Sequence, residues 1–416
     1  MPFEELVSGQ REWIVESDSV RLGVTTIGAH MAPVSFDLNK SEPVLPYHIS
    51  PWQGEDTSLL SGTPEAVLRG DFFCLPFGQR DVQTPSGPNH GRTSAGPWKL
   101  VDSQTRDGVS KLRIAMDCAL GTARVTREFF LRSGENVVYD LTSIANLEGS
   151  FPLGHHAVLR MPSRENSMLV STGKIIYGMT FPGEFVVAEV GGRQSLAAGA
   201  EVFDLKRVES YDRKQLLDCS RYPARPGCTD LLQVSAANRS GEPAWTTAVN
   251  TEERYLWFSL RNASLLPSTI LWIENHARQS FPWNGRNCSL GLEDVCSYFD
   301  LGTMASRRSN EFSKRGIRTT QAFDPQKVFE LPYIQGAVRV PRDFKHVATV
   351  NCDRSTAIFT DCNGLSVSTP VRSGFLFGER FEDSTSEALA LNSDEGISDL
   401  VNCGVNITES ENQRYE

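Results

Sequence analysis

The feature that most constrains the fold is a two-residue alternation of apolar and polar side chains, which recurs along much of the chain. It is clearest in the segments 112–118, 137–141 and 256–260. A period of two places successive side chains on opposite faces of a sheet, as in half-buried antiparallel strands. Convincing stripes with a helical period of 3.6 residues are scarce. The alternation therefore predicts an all-β protein.

Turn-forming residues divide these apolar runs into short pieces. The 416 residues include 33 glycines and 22 prolines, and the run Ile270–Ile273 is apolar throughout, as in a strand buried on both faces. This combination favours a large antiparallel sandwich. We expect one domain over 1–380, with an insertion near 160–230 where the alternation weakens and further strands after residue 300, for example at 337–340. An acidic tail is expected at 381–416.

Bulk charge and cysteine usage exclude several classes of function. The formal net charge is −10 and the basic patches are short, whereas a nucleic-acid binder needs an extended basic face. No apolar stretch reaches the eighteen residues of a membrane-spanning helix, and the N-terminus lacks the pattern of a secretory signal. The nine cysteines include no Cys-x-x-Cys pair. We therefore expect a cytoplasmic protein that has no metal site and binds neither nucleic acid nor membranes.

Histidines are scarce, and two groups of them lie in turn-rich surroundings. His90 precedes a glycine in the stretch Pro88–Arg92, which places it on a loop that can face a cleft. His155 and His156 are adjacent at the start of an apolar run, so in a strand they point to opposite faces and at most one enters a given pocket. A loop histidine that caps a turn and a buried core histidine are the simpler interpretations.

Glu293 is the most informative carboxyl group. It follows a glycine-marked turn and precedes an aromatic stretch, and partial burial there would raise its pKa toward that of a general base. The cluster Glu274–His276 is a rival site. A solvated acid beside a turn is the alternative for both.

The order of these segments resembles that of the galactose mutarotase (aldose 1-epimerase) superfamily. The matching segments are Leu75–Arg80, His90-Gly91, Gly154–His156 and Gly291–Glu293. The opening Val20–Thr25 with Gly28–His30 resembles the family's first hairpin, and Arg127–Asn136 resembles its middle strands. The resemblance extends over roughly residues 15–300 and implies a large β-supersandwich, galactose mutarotase-like, with an open sugar-binding cleft.

The resemblance also implies roles for individual residues. Glu293 is the expected base for the anomeric hydroxyl, and His156 is the expected acid for the ring oxygen. His90 is expected near the ring oxygen. The expected substrate-binding residues are Arg80, Arg92, His155, Asn275 and Trp283. Each proton-transfer partner in such chemistry contributes on the order of a hundredfold. No metal or organic cofactor is implied.

Three departures from the family pattern leave alternatives open. Asp294 occupies a place where relatives carry proline or threonine, Ala157–Leu159 replaces the usual Pro-Tyr-Phe, and the family's additional sugar-binding acid has no evident counterpart. A non-catalytic carbohydrate-binding or sensor protein on the same scaffold is therefore the second hypothesis. The third is a polysaccharide-active enzyme that uses Glu274 and Glu293, which inverting hydrolysis would place roughly 6.5–9.5 Å apart.

Overall fold

Antiparallel strands make up most of the regular structure in the computed structural model, which describes residues 3–82, 87–185 and 191–381. Within these ranges the one α-helix is α1, Gly302–Arg307. The all-β class predicted from the alternation is confirmed. The expected acidic tail lies outside the described residues, apart from Phe381. No described helix has the length and apolar character needed to span a membrane.

The strands of the first half are, in chain order, β1 Phe3–Val7, β2 Gln10–Glu16, β3 Val20–Thr25, β4 Met31–Phe36, β5 Phe73–Cys74, β6 Lys99–Arg106, β7 Val109–Asp117, β8 Arg124–Arg132, β9 Val137–Ala145, β10 Gly149–Phe151, β11 Leu153–His155, β12 Ala157–Arg160, β13 Met168–Thr172 and β14 Ile175–Thr180. Those of the second half are β15 Val208–Glu209, β16 Leu216–Leu217, β17 Arg221–Tyr222, β18 Cys228–Ala236, β19 Ala244–Asn250, β20 Tyr255–Arg261, β21 Ser268–Asn275, β22 Cys288–Cys296, β23 Gln321–Phe323, β24 Phe329–Arg339, β25 Val347–Cys352, β26 Thr356–Asp361 and β27 Ser366–Pro370. Short 3-10 helices lie at Ser58–Leu60, Pro64–Ala66, Arg92–Ser94, Ser313–Arg315 and Ser373–Phe377.

Two large sheets contain most of these strands. One has seven strands in the order β14-β18-β21-β22-β11-β5, with β12 also paired to β22. The other has nine strands in the order β17-β13-β19-β20-β24-β9-β8-β7-β6. A four-stranded sheet, β1-β2-β3-β4, precedes them, and β25-β26-β27 form a separate three-stranded sheet.

The main hydrophobic core combines residues of both large sheets. Leu271 and Leu292 of the seven-stranded sheet share a buried cluster with Trp257 and Tyr333 of the nine-stranded one. The neighbouring residues of β21, Ile270 and Trp272, belong to a second buried cluster, so this face points the other way. The seven-stranded sheet therefore has two apolar faces, which accounts for the unbroken apolar run at 270–273.

The segment 160–230 combines main-sheet strands with an excursion. Strand β13 belongs to the nine-stranded sheet, whereas β14 and the start of β18 belong to the seven-stranded sheet. Between β14 and β18, the described residues contain β17, which pairs with β13, and the β15–β16 hairpin, which is separate from both large sheets. Beyond residue 300, β24 lies in the interior of the nine-stranded sheet between β9 and β20.

Candidate active site

A cavity of about 570 Å³ opens on the outer face of the seven-stranded sheet. Its wall combines histidines, carboxyl groups and large aromatic rings. The lining residues include Phe72, Gln79, His90, His156, Trp272, Arg278, Trp283, Glu293 and Asp300. They come from at least five separate segments of the chain, which the strand order of the sheet brings together.

Glu293 reaches this cavity because of the alternation in β22. Leu292 and Asp294 face the nine-stranded sheet, so the side chain between them points to the outer face. Gly291 lies on that same outer face, and a Cβ built there would be 2.7 Å from Glu293 Oε1 and 3.0 Å from Trp272 Cβ. Because Gly291 has no side chain, the carboxyl group of Glu293 can occupy the space beside it.

His156 is in direct contact with this carboxyl group. Its Nε2 lies 3.2 Å from Glu293 Oε1, and both side chains are almost fully buried, with residue exposures of 6% and 2%. The backbone N–H of His156 donates to the carbonyl of Phe72 at 2.9 Å, which fixes the main chain directly before β12. His156 Nδ1 has no hydrogen-bond partner among the described residues. An imidazole and a carboxyl group thus meet at the floor of the cavity.

Burial shifts the pKa values of this pair in opposite directions. It raises the pKa of Glu293 well above the ordinary value, and the nearby negative charge of Asp300 raises it further. It lowers the pKa of His156 well below the ordinary value, and the neighbouring His90 and His30 lower it further. Between the two shifted values the pair therefore holds one proton.

His90 forms the adjacent wall. Its ring is 5.1 Å from that of His156 in an edge-to-face arrangement and 4.9 Å from that of Phe77. The backbone N–H of Gly78 donates to Nδ1 at 3.3 Å, so the neutral ring carries its proton on Nε2. Burial lowers the pKa of His90 to about 4. At neutral pH this residue is an uncharged Nε2–H donor.

Solved structures share this fold at low sequence identity. A galactose mutarotase-like protein from Clostridium acetobutylicum aligns with a TM-score of 0.55 and 11% identity, over 82% of this chain and 99% of that one. A protein of Escherichia coli K12, provisionally named an aldose 1-epimerase, aligns with a TM-score of 0.52 and 13% identity, over 79% and 99%. A protein of Salmonella typhimurium, provisionally named a mutarotase, aligns with a TM-score of 0.52 and 12% identity, over 82% and 97%.

The chain has the galactose mutarotase-like fold. The resemblance noted in the sequence is thereby confirmed at the level of the fold. No protein-family model matches the sequence, and no curated protein matches it. Identities of 11–13% with these structures show the fold alone, and a shared fold does not determine the activity.

Within this mutarotase-like fold, His155 is the last residue of β11, and its side chain points away from that of His156, which lies between β11 and β12. Its Nδ1 is 2.9 Å from Asp71 Oδ2, and its ring stacks on Tyr333 with centroids 4.0 Å apart. His155 is fully buried between the sheets and does not line the cavity. The structure therefore separates the two adjacent histidines, one in the cavity and one in the interior.

The buried surroundings of His155 form an ion network. Asp71, Asp140 and His155 each place a possible metal-ligand atom within 4.8 Å of the others. The guanidinium of Arg127 is bonded to Asp140 and lies 3.6 Å from Asp71, so a cation already compensates these carboxylates. We interpret this cluster as an electrostatic connection between the sheets.

The other expected substrate-binding residues lie in different places. Trp283 lines the cavity with His156 and Glu293. Arg80 and Arg92 instead line a neighbouring cavity of about 350 Å³, which also includes Gln79. Asn275 donates through Nδ2 to the carbonyl of Ala224 at 2.8 Å and is not part of the cavity wall.

The cavity residues that were not expected from the sequence include Trp272, Arg278 and Asp300. Trp272 belonged to a strand predicted to be buried on both faces, which gave no sign of a cavity. Arg278 and Asp300 follow their strands in irregular segments, where periodicity carries no information about direction. The one sequence feature that these three residues share is that each lies within seven residues of Glu274 or Glu293, the two candidate carboxyl groups.

Proposed function

We propose that this chain is an aldose 1-epimerase-like isomerase that interconverts the anomers of a sugar or sugar derivative by acid/base ring opening. The observation that carries the proposal is the contact of 3.2 Å between His156 Nε2 and Glu293 Oε1 at the floor of a cavity. This chemistry needs one proton acceptor and one proton donor beside a single small molecule, and the pair supplies both.

The reaction begins with the anomeric hydroxyl against Glu293. The carboxylate takes the hydroxyl proton, C1 and O1 form a carbonyl, and the electron pair of the C1–O5 bond goes to O5. His156 protonates O5, while the Nε2–H of His90 donates a hydrogen bond near it. Rotation about C1–C2 presents the other carbonyl face, and the reverse proton transfers close the ring as the opposite anomer.

The proton of the pair can occupy either partner. With the proton on His156, Glu293 is a carboxylate base, as the reaction above requires. The pKa directions place the proton on Glu293 in the ligand-free site, because burial disfavours both charged forms. A substrate hydroxyl that hydrogen-bonds to the carboxyl group stabilises its charged form, which favours transfer of the proton to His156.

The same pKa directions favour a second candidate, a non-catalytic carbohydrate-binding or sensor protein. A neutral carboxyl and a neutral imidazole are hydrogen-bonding groups that can hold sugar hydroxyls without exchanging protons. Polarimetry on freshly dissolved α-anomers, run beside calorimetric titration with the same sugars, separates the two. Acceleration of the optical change supports the isomerase, whereas saturable binding without acceleration supports the second candidate.

A polysaccharide hydrolase that uses Glu274 and Glu293 is disfavoured by the strand register. Glu274 pairs with Ser289, which is four residues from Glu293 along β22. At about 3.3 Å per residue, the two carboxyl-bearing positions are about 13 Å apart. Inverting hydrolysis requires roughly 6.5–9.5 Å between its carboxyl groups. Glu274 instead accepts backbone hydrogen bonds from Ala277 and Arg278.

A further inference from the structure

The cavity wall contains polar groups that the proposed proton transfers do not use. The indole Nε1–H of Trp272 and the Oδ1 of Asp300 are both buried, and neither has a hydrogen-bond partner within the described ranges. Both residues line the same cavity as Glu293 and His156. A buried donor and a buried acceptor without partners are costly in a folded protein, so their retention in a cavity wall indicates a ligand that satisfies them.

Asp300 is held in place by the loop that carries Gln79. The Nε2 of Gln79 donates to Asp300 Oδ2 at 3.3 Å, and its backbone N–H donates to the Asp300 carbonyl at 2.6 Å. The two loops touch at Gly78, where φ is +93° and a Cβ would lie 2.6 Å from the Asp300 carbonyl carbon. One carboxyl oxygen is thus used to fix the side chain, and Oδ1 is left to accept from a ligand.

Trp272 is fixed by aromatic and cationic neighbours. Its ring packs edge to face against Trp283 with centroids 5.9 Å apart, and it meets His156 in the same way at 5.7 Å. The guanidinium of Arg278 lies 5.4 Å from the ring of Trp272 and 4.8 Å from that of Trp283. The indole is therefore a rigid hydrogen-bond donor beside the acid/base pair.

The charges of the wall point to an uncharged ligand. Among the described residues, four carboxyl groups and one guanidinium, that of Arg278, line the cavity, and the guanidinium lies 3.6 Å from the carboxylate of Glu274. The lining carboxyl groups belong to Glu65, Glu184, Glu293 and Asp300. Among the described lining residues, a phosphate or carboxylate on the ligand would meet no cation other than this compensated guanidinium, whereas a hydroxyl, which both donates and accepts, matches the Asp300 and Trp272 pair.

We infer that Asp300 and Trp272 are the specificity-determining residues of this site, each holding a different hydroxyl of an uncharged aldose. This inference rests on the proposed function, because it takes the ligand of the Glu293–His156 cavity to be a sugar. Asp300 Oδ1 accepts from one hydroxyl and Trp272 Nε1–H donates to another. The hydroxyls they hold decide which aldose is turned over.

The test compares variants against deoxy sugars. The variants are Trp272→Phe, which keeps the apolar ring, and Asp300→Asn, with Trp245→Phe and Asp102→Asn as controls outside the cavity. The probes are D-glucose, D-galactose, the 2-, 3-, 4- and 6-deoxy forms of the preferred sugar, and its 6-phosphate. We expect each cavity variant to lower kcat/KM for the parent sugar by about 10-fold. For the one deoxy sugar that lacks the hydroxyl held by the substituted residue, we expect the variant to lower kcat/KM by less than about 2-fold relative to the wild type.

Other results overturn the inference. Equal losses on every deoxy sugar, or no loss on the parent, exclude a hydroxyl-specific role. A preference for the 6-phosphate excludes the uncharged class and points to the neighbouring cavity with Arg80 and Arg92. If the wild-type protein accelerates no anomer exchange, the isomerase proposal fails. The affinity of each variant for each sugar is then measured by calorimetry. The inference then stands on the affinity ratios, and the absence of binding to every sugar overturns it.

Discussion

Phe72 and His156 lie face to face, with ring centroids 4.5 Å apart and ring planes 18° from parallel. Phe72 also stacks on His30, at 4.0 Å and 13°. Because the backbone carbonyl of Phe72 accepts the N–H of His156, both the ring and the main chain of one residue position the imidazole. We therefore interpret Phe72 as a positioning residue for the proposed acid/base pair.

Replacing Phe72 with leucine tests this role. Leucine keeps much of the buried apolar volume, so we expect the free energy of unfolding to fall by about 1 kcal/mol. It lacks the flat surface that orients His156, so kcat is expected to fall by about 10-fold with little change in KM. Phe359→Leu, in β26, is the control, with a similar stability loss and an unchanged rate. Equal kcat values in the two variants would contradict the assignment.

Removal of either member of the pair is expected to abolish catalysis. Glu293→Gln and His156→Asn preserve the approximate shape of the side chains, so the fold is retained. Each is expected to lower kcat by about 100-fold or more, because each removes a proton-transfer partner. The measurement is polarimetric mutarotation of the accepted aldose, beside circular dichroism and thermal unfolding. The controls are Glu253→Gln and His346→Gln, because these two residues do not line the cavity. Wild-type rates in both cavity variants would exclude the mechanism.

The raised pKa of Glu293 predicts a specific dependence of stability on pH. A carboxyl group whose folded pKa lies above its unfolded value of 4.5 binds more protons in the folded state, so stability falls as the pH rises above 4.5 through the raised pKa. Glu293→Gln removes this loss. We therefore expect the difference in Tm, variant minus wild type, to increase as the pH rises above 4.5. A difference independent of pH would show that Glu293 is not buried as described.

How far the sequence predicted this site depends on the kind of segment. Adjacent residues in a strand must face opposite ways, so the separation of His155 from His156 followed from alternation once a strand was assumed. The same rule places Glu293 on the outer face and Asp294 on the inner face. Alternation thus carried enough information to assign these side chains to opposite faces of the sheet.

The remaining wall residues depend on tertiary contacts that spacing does not encode. Arg80 was expected to contact the sugar, yet its neighbour Gln79 lines the cavity and Arg80 lines the adjoining one. A shift of one residue in a turn reverses which side chain faces inward, and turns have no fixed period. Asp300 likewise follows its strand in a loop whose path is set by contact with Gly78. The strands were therefore predictable, and the loop contributions were not.

Buried histidines outside the pair predict destabilisation in acid. Burial lowers the pKa of His48 to about 4 and that of His30 to about 3, below the unfolded value of 6.5. The unfolded chain therefore binds more protons below pH 6.5, so stability is lost as the pH falls from 6.5 toward 4. The lowering of the His48 pKa from 6.5 to about 4 corresponds to roughly 3.5 kcal/mol at about 1.4 kcal/mol per pKa unit.

The substitution His48→Gln isolates this contribution. Glutamine can still donate to Asn287 Oδ1, which His48 Nε2 contacts at 2.8 Å, but it does not titrate. Chemical denaturation at pH 7 and pH 4.5 is expected to show a smaller loss of unfolding free energy in the variant than in the wild type. Equal losses would mean that His48 is protonated in the folded protein.

Gly291 offers the sharpest test of how β22 presents the base. A Cβ at this position would lie 2.7 Å from Glu293 Oε1, too close for ordinary contact, so Gly291→Ala must displace the carboxyl group or Trp272. We expect kcat to fall by about 10-fold or more, because a displacement near 1 Å is enough to misplace a proton acceptor. Gly173→Ala is the control, since its Cβ would meet only Ala236 Cβ at 3.2 Å and the Ala237 carbonyl oxygen at 3.5 Å. If Gly291→Ala keeps the wild-type rate, the carboxyl group of Glu293 can move to accommodate a methyl group at position 291. The absence of a side chain at Gly291 would then not be what positions Glu293.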